Sequence, residues 1–184
     1  MWLGATVAAS FLVLIIFGVE IYRTAPPFPT KIVVSDGEVL YEGQDIKDGQ
    51  NVWQSMGGQT VGSIWGHGAY IAPDWNADYL HRETEMLLDL LARKDGKTYK
   101  DLPEDEQAKY LVQLRKELRT NTYDAASGVI TFSPERAQVA RALADYYTKL
   151  FMDDPSMDHV RKSYAIPKGA IKDPARMAQM NAFF

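Results

Sequence analysis

Three histidines are the only side chains here that could ligate a transition metal or haem through a ring nitrogen, and the chain has no cysteine. Without thiols there can be no disulfide, thiolate metal centre, iron–sulfur cluster or thiol nucleophile. The thioether attachment of a c-type haem through a C-x-x-C-H motif is equally impossible. His67 lies in Trp65-Gly66-His67-Gly68 and reads as a turn or surface group. His81 and Glu85 stand four apart and could share one helix face. Such a pair supplies two of the four ligands that zinc requires. With no further ligands in view, it reads as a simple helix-face pair. His159 follows the acidic residues Asp153, Asp154 and Asp158 and reads as exposed. A histidine and a methionine could hold a b-type haem without covalent attachment. The seven methionines, however, mostly recur at the spacing of helical core positions.

No G-x-S-x-G elbow, phosphate-binding loop or dinucleotide fingerprint is present. No nucleophile stands beside a plausible base, so this chain reads as non-catalytic. The formal net charge is −4 and Lys and Arg form no cluster, which argues against nucleic acid as a partner.

The elements that must position these residues begin with an apolar run. Trp2 to Tyr22 carries one charge, Glu20, and is long enough to cross a hydrocarbon core of about 30 Å. Residues 1–23 therefore read as a transmembrane anchor, with Trp2 and Tyr22 at belt positions and Arg23 able to snorkel. Pro26, Pro27 and Pro29 make residues 24–30 a short stiff linker. Asp36-Gly37 between two β-rich runs predicts a hairpin with strands near 31–35 and 38–41. A helix is predicted over 45–56, burying Ile46, Val52, Trp53 and Met56 and ending at Gly57-Gly58. Another follows Asp74-Trp75, with Leu80, Met86, Leu87, Leu90 and Leu91 on its apolar face. The next runs from Leu102-Pro103 to about residue 121 and buries Tyr110, Leu111, Leu114 and Leu118. After a strand at 128–132, Ser133-Pro134 starts a helix that buries Val139, Leu143, Tyr146, Tyr147 and Leu150. Asp173-Pro174 opens a last helix carrying Met177, Met180, Phe183 and Phe184, expected to lead toward a further membrane segment. The fold class is mainly α with a small β-hairpin or sheet, behind one N-terminal transmembrane helix.

Residues 51–75 are too aromatic for a solvated linker, with Trp53, Trp65, Tyr70 and Trp75 among many glycines. They read either as a loop wrapped on its own core or as a docking surface for another subunit, with Trp53, Trp65, His67 and Trp75 at the interface.

This segment, with YRTAPPFP, GQNVWQSMGGQTVGSIWGHGAYIAPDW and LHRE, resembles the N-terminal region of the quinol-dependent nitric oxide reductases over nearly the whole chain. Those enzymes look like a fusion of two subunits that are separate in their cytochrome c-dependent relatives. In the small subunit of the relatives, the haem-attachment motif precedes a Gly-x-Gly-Ala-Tyr-x-Ala-Pro run. Residues Gly66 to Pro73 match that run, which places the attachment motif on Gly58-Gln59-Thr60-Val61-Gly62, with none of its residues present. The resemblance thus implies a cytochrome c-like soluble domain lacking haem over 31–172, and a helix over 173–184 leading onward. It implies main-chain carbonyls of Gly68 and Tyr70 as ligands of a calcium ion shared with the catalytic part. Calcium needs six to eight oxygens, so propionates and an acid from that part would complete the shell. No cofactor is expected within this chain; the complete enzyme would hold b-type haems, non-haem iron and calcium. The expected partners are the catalytic membrane-helix region or subunit, the lipid bilayer and, through the complete enzyme, quinol. The implied location is the bacterial inner membrane with the domain on the extracytoplasmic side, against the weak charge bias of Arg23 and Lys31. A separately encoded, membrane-anchored accessory or binding subunit without redox role is the alternative.

Overall fold

The computed structural model of the 184-residue chain describes residues 2–60, 62–64, 66 and 73–184. Helix α1 (Trp2–Thr24) is apolar around its whole circumference and buries none of its residues against the rest of the chain. It is long and apolar enough to cross a membrane. At 1.5 Å per residue its 23 residues span about 34 Å. A helix apolar on every side is not stable against water and calls for lipid or a protein bundle around it.

The proline-rich linker ends in a fixed point. Thr30 donates its N–H to Gly128 (2.8 Å) and its carbonyl accepts from the Gly43 N–H (2.7 Å). Its hydroxyl donates to the Ser127 carbonyl at 3.0 Å. A Cβ on Gly128 would come within 2.8 Å of the Thr30 methyl, and Gly128 has φ +71°. Only glycine accommodates both demands.

The sheet contains β1 (Lys31–Val34), β2 (Val39–Glu42), β3 (Tyr123–Asp124) and β4 (Val129–Phe132), in the order β2-β1-β4-β3. The β1–β2 hairpin turns at Asp36-Gly37 as predicted, with Gly37 at φ +95°. β4 lies parallel to β1, in register from Lys31–Val129 to Val34–Phe132, and antiparallel to β3. The two-residue β3 carries too little pattern to be read from sequence.

The helices are α2 (Gly43–Ser55), α3 (Trp75–Lys94), α4 (Glu104–Arg119), α5 (Pro134–Phe151), the short α6 (Asp158–Ser163) and α7 (Pro174–Phe183). Ser133 caps α5 by accepting the Arg136 N–H at 3.1 Å, with Pro134 at the first helical position. Asp173 caps α7 through the Ala175 N–H at 2.9 Å. The α5 C-terminus is closed by a side chain. Arg161, 2% exposed, donates to the carbonyls of Lys149 (2.9 Å) and Leu150 (3.2 Å), two of the acceptors a helix end leaves orphaned.

Two helix faces differ from their sequence patterns. In α3 the buried residues are Trp75, Glu83, Leu87, Leu88 and Ala92, while Leu80 is 54% exposed. The inward stripe follows Trp75, Tyr79, Glu83 and Leu87, and a glutamate in the core hides it from a hydrophobicity count. Arg136 makes that glutamate tolerable, donating to Glu83 at 2.8 Å while its guanidinium lies 4.1 Å from the Phe132 ring centroid. In α2, Gly49 is buried with Val52 and Trp53. A Cβ there would lie 2.1 Å from the Gln179 carbonyl oxygen and 2.8 Å from Phe183 Cβ, so α2 and α7 touch backbone to backbone at this crossing. Helix α7 is a packed part of the domain's core, with Met177 and Met180 at 1% and 0% exposure.

Candidate functional site

The site that sequence reasoning singled out is the segment 51–75. Its two ends are built around Asp74, which precedes α3. The Asp74 carboxylate accepts from the Ala77 N–H (3.1 Å), capping that helix. It also accepts from the Ser63 hydroxyl (2.7 Å) and the Gly66 N–H (2.6 Å). The Ser63 N–H donates to the Pro73 carbonyl (3.2 Å) and the Trp75 N–H to the Ser63 carbonyl (2.8 Å). One acid thus starts a helix and joins both ends of the loop. Burial pushes the Asp74 carboxyl up, but the hydrogen bonds from Ser63, Gly66, Ala77 and Asn76 outweigh it and hold the group below its ordinary value.

Of the expectations for this loop, those on Trp65, His67, Gly68 and Tyr70 lie outside the described residues. Of the two readings of this segment, the docking surface would have Trp53 and Trp75 face a partner; both are instead core residues of this chain, 5% and 0% exposed, as the self-packed reading has them. Burying an indole removes one of the largest apolar surfaces a side chain owns, and here the chain supplies the cover itself. Trp75 is ringed by Tyr147 (6.1 Å between centroids), Phe151 (5.1 Å), Tyr164 (6.2 Å) and Phe184 (6.0 Å). Trp53 packs on Phe183 at 6.5 Å.

The two indoles also fill the neighbourhood of Gly58 and Gly62. A Cβ on Gly58 would lie 2.2 Å from Trp53 Cδ2, and one on Gly62 would lie 2.0 Å from Trp75 Nε1. Gly62 has φ +146° as well. These are the positions that resemblance aligns with the first cysteine and the histidine of a haem-attachment motif. Neither has room for a methyl group, let alone a thioether or an imidazole. The residues present do not fit a covalently held haem.

Sequence reasoning missed a second polar cluster. Asp78, one turn into α3, accepts from Arg82 Nε (2.8 Å) and from the Tyr147 hydroxyl of α5 (2.9 Å). Burial, the Asp78 charge and this hydrogen bond together push the Tyr147 phenol far above its ordinary range. Tyr79 stacks on Tyr147 at 6.2 Å and 10°, and Arg82 covers the Tyr146 ring at 4.0 Å. The i, i+4 spacing of Asp78 and Arg82 was legible; the phenol, 69 residues from its acceptor, was not.

The histidines make no metal centre among the described residues. His81 and Glu85 stand 3.6 Å apart on an exposed helix face. His159 is exposed and lies beside Lys162 and Lys168 on a shallow surface hollow. Among the described residues, no group of three or more His, Asp or Glu is placed to hold a metal.

A mainly helical domain with a four-stranded sheet, closed by α2 and α7 behind an apolar N-terminal helix, has the architecture of a cytochrome c-like module. A family model described as the NorB cytochrome c-like domain of nitric oxide reductase matches residues 29–184. The chain belongs to this family. No curated protein matches it.

Proposed function

We propose that the chain is the membrane anchor and haem-free extracytoplasmic domain of a quinol-dependent nitric oxide reductase. The complete enzyme reduces two molecules of nitric oxide to nitrous oxide and water with quinol electrons. This part scaffolds the catalytic helix bundle and passes no electrons through a haem of its own. The observation that carries the reading is the packing of Trp53 on Gly58 and Trp75 on Gly62. In a chain without cysteine, these indoles leave no room for side chains at two positions that the resemblance aligns with a haem-attachment motif. Electrons from quinol then reach the b-type haems and non-haem iron of the catalytic part directly.

In this reading α1 sits in the bacterial inner membrane beside the catalytic helices. The main-chain carbonyls of Gly68 and Tyr70 join a calcium shell completed by the catalytic part. Absorption spectroscopy of the full-length chain, expressed with haem supply and purified in detergent, tests the haem-free assignment. The expected spectrum has no Soret band, and a stoichiometric one overturns the reading. Co-expression with the catalytic part tests the scaffold role. The expected result is a complex that loses its calcium when residues 68–70 are deleted; unchanged calcium content removes Gly68 and Tyr70 from the site.

A further inference from the structure

We infer that Trp75, Tyr147 and Asp78 form a redox relay that draws a one-electron oxidising equivalent into the domain and holds it as a tyrosyl radical on Tyr147. The inference goes beyond the scaffold role and does not depend on it.

Three observations combine. First, Trp75 and Tyr147 are 0% and 1% exposed and meet edge to face at 6.1 Å, so an electron can pass between the rings with little solvent reorganisation. Second, half-buried rings connect this pair to the surface. Tyr146 and Tyr79 touch Tyr147 at 5.2 Å and 6.2 Å, and Tyr164 touches Trp75 at 6.2 Å. Third, the Tyr147 hydroxyl donates to a carboxylate, Asp78, at 2.9 Å. A phenol cannot stay oxidised as a radical cation, because oxidation makes its proton strongly acidic. A buried tyrosine is a usable electron donor only where a base is already in place, and here the base is a carboxylate held by Arg82.

Atoms and electrons balance in each step. A one-electron radical oxidant removes an electron through the surface rings and leaves Trp75 as its radical cation. Trp75 then takes one electron from Tyr147 while the phenolic proton moves along the hydrogen bond to the Asp78 carboxylate. The products are a neutral indole, a neutral tyrosyl radical and a protonated Asp78. A one-electron reductant of the ascorbate or hydroquinone class returns the electron to Tyr147, whose oxygen recovers its proton from Asp78.

The chain contains its own control. Tyr110 also donates to a carboxylate, Asp95, at 2.8 Å, but its described aromatic ring pair is with Tyr99, not with Trp75 or Tyr147. The experiment is one-electron oxidation of the full-length chain in detergent by azide radicals from pulse radiolysis. Tryptophanyl and tyrosyl absorption are followed in time, and freeze-trapped samples are read by electron paramagnetic resonance. The expected result is decay of the tryptophanyl signal into a tyrosyl signal at a rate independent of protein concentration. The persistent tyrosyl signal is lost in Tyr147→Phe and in Asp78→Asn and is unchanged in Tyr110→Phe. Tyr147→Phe keeps the ring and so keeps the core packing, which makes it decisive if Asp78→Asn fails to fold. A tyrosyl signal of wild-type yield in Tyr147→Phe overturns the relay, as does loss of the signal in Tyr110→Phe alone.

Discussion

The Asp74 carboxylate accepts the Ser63 hydroxyl at 2.7 Å, and this one bond joins a helix cap to the far side of the glycine-rich segment. The same carboxylate takes the N–H groups of Ala77 and Gly66. Losing it frees a helix N-terminus and a loop end together. Asp74→Ala is expected to lower stability by about 1–2 kcal/mol, the upper part of the range for losing an N-cap. Urea unfolding of the full-length chain in detergent measures this.

The same residue gives a pH dependence. Its carboxyl is held below its ordinary value, so the folded state favours the ionised form. The stabilisation is complete above the ordinary carboxyl value of about 4 and is lost as pH falls through the lowered native value. The stability difference between wild type and Asp74→Asn should therefore be constant near neutrality and shrink below about pH 4. A difference that grows on acidification contradicts the assignment.

Gly58 and Gly62 should tolerate no side chain. Gly58→Ala and Gly62→Ala each push a methyl into an indole, and overpacking of this kind costs about 1–3 kcal/mol. Gly62→Ala should be the worse of the two, because its φ of +146° adds backbone strain. The combined changes Gly58→Cys, Val61→Cys and Gly62→His rebuild a haem-attachment motif on paper. Expressed with a c-type maturation system, this variant should still show no Soret band, because Trp53 and Trp75 hold the space.

The Glu83–Arg136 pair should be asymmetric. Arg136→Ala strands a charge that is 0% exposed, and breaking a buried pair in this way costs about 3–5 kcal/mol. The double variant Glu83→Leu with Arg136→Met should recover most of that loss, since apolar groups of similar volume often replace such pairs without penalty. Thermal unfolding of the three chains under one condition decides it.

Ala165 has φ +52°, a left-handed conformation that glycine adopts freely. Ala165→Gly should raise stability by up to about 1 kcal/mol, the cost of a Cβ in that region less the extra chain entropy of glycine. A clear drop in the unfolding midpoint would mean that the Ala165 methyl is needed for packing.

What the sequence disclosed was what its local chemistry dictates. Asp36-Gly37, Ser133-Pro134 and Asp173-Pro174 each carry their turn or cap within a few residues, and each lies where expected. The apolar face of α3 was misread because Glu83 interrupts it, and its partner Arg136 is 53 positions away. The parallel pairing of β1 with β4 joins segments separated by the whole middle of the chain, and strand pattern alone carries no such information. Trp53 and Trp75 were recognised as unusual, but their spacing could not decide between the chain's own core and a partner. Their cover comes from Tyr147, Phe151, Tyr164, Phe183 and Phe184, all far along the chain.

Thr30 is bonded to Gly128, Ser127 and Gly43, which leaves only residues 25–29 between the last residue of α1 and a fixed point on the domain. Stretched fully, that leash reaches roughly 20 Å, and three of its five residues are proline. Whatever holds α1 therefore meets the domain not as a solute but as a tethered neighbour, at an effective concentration in the millimolar range typical of short linkers. A contact too weak to survive dilution between free proteins would be nearly saturated here. Lengthening the leash with glycine and serine would weaken it without altering a single residue of either surface.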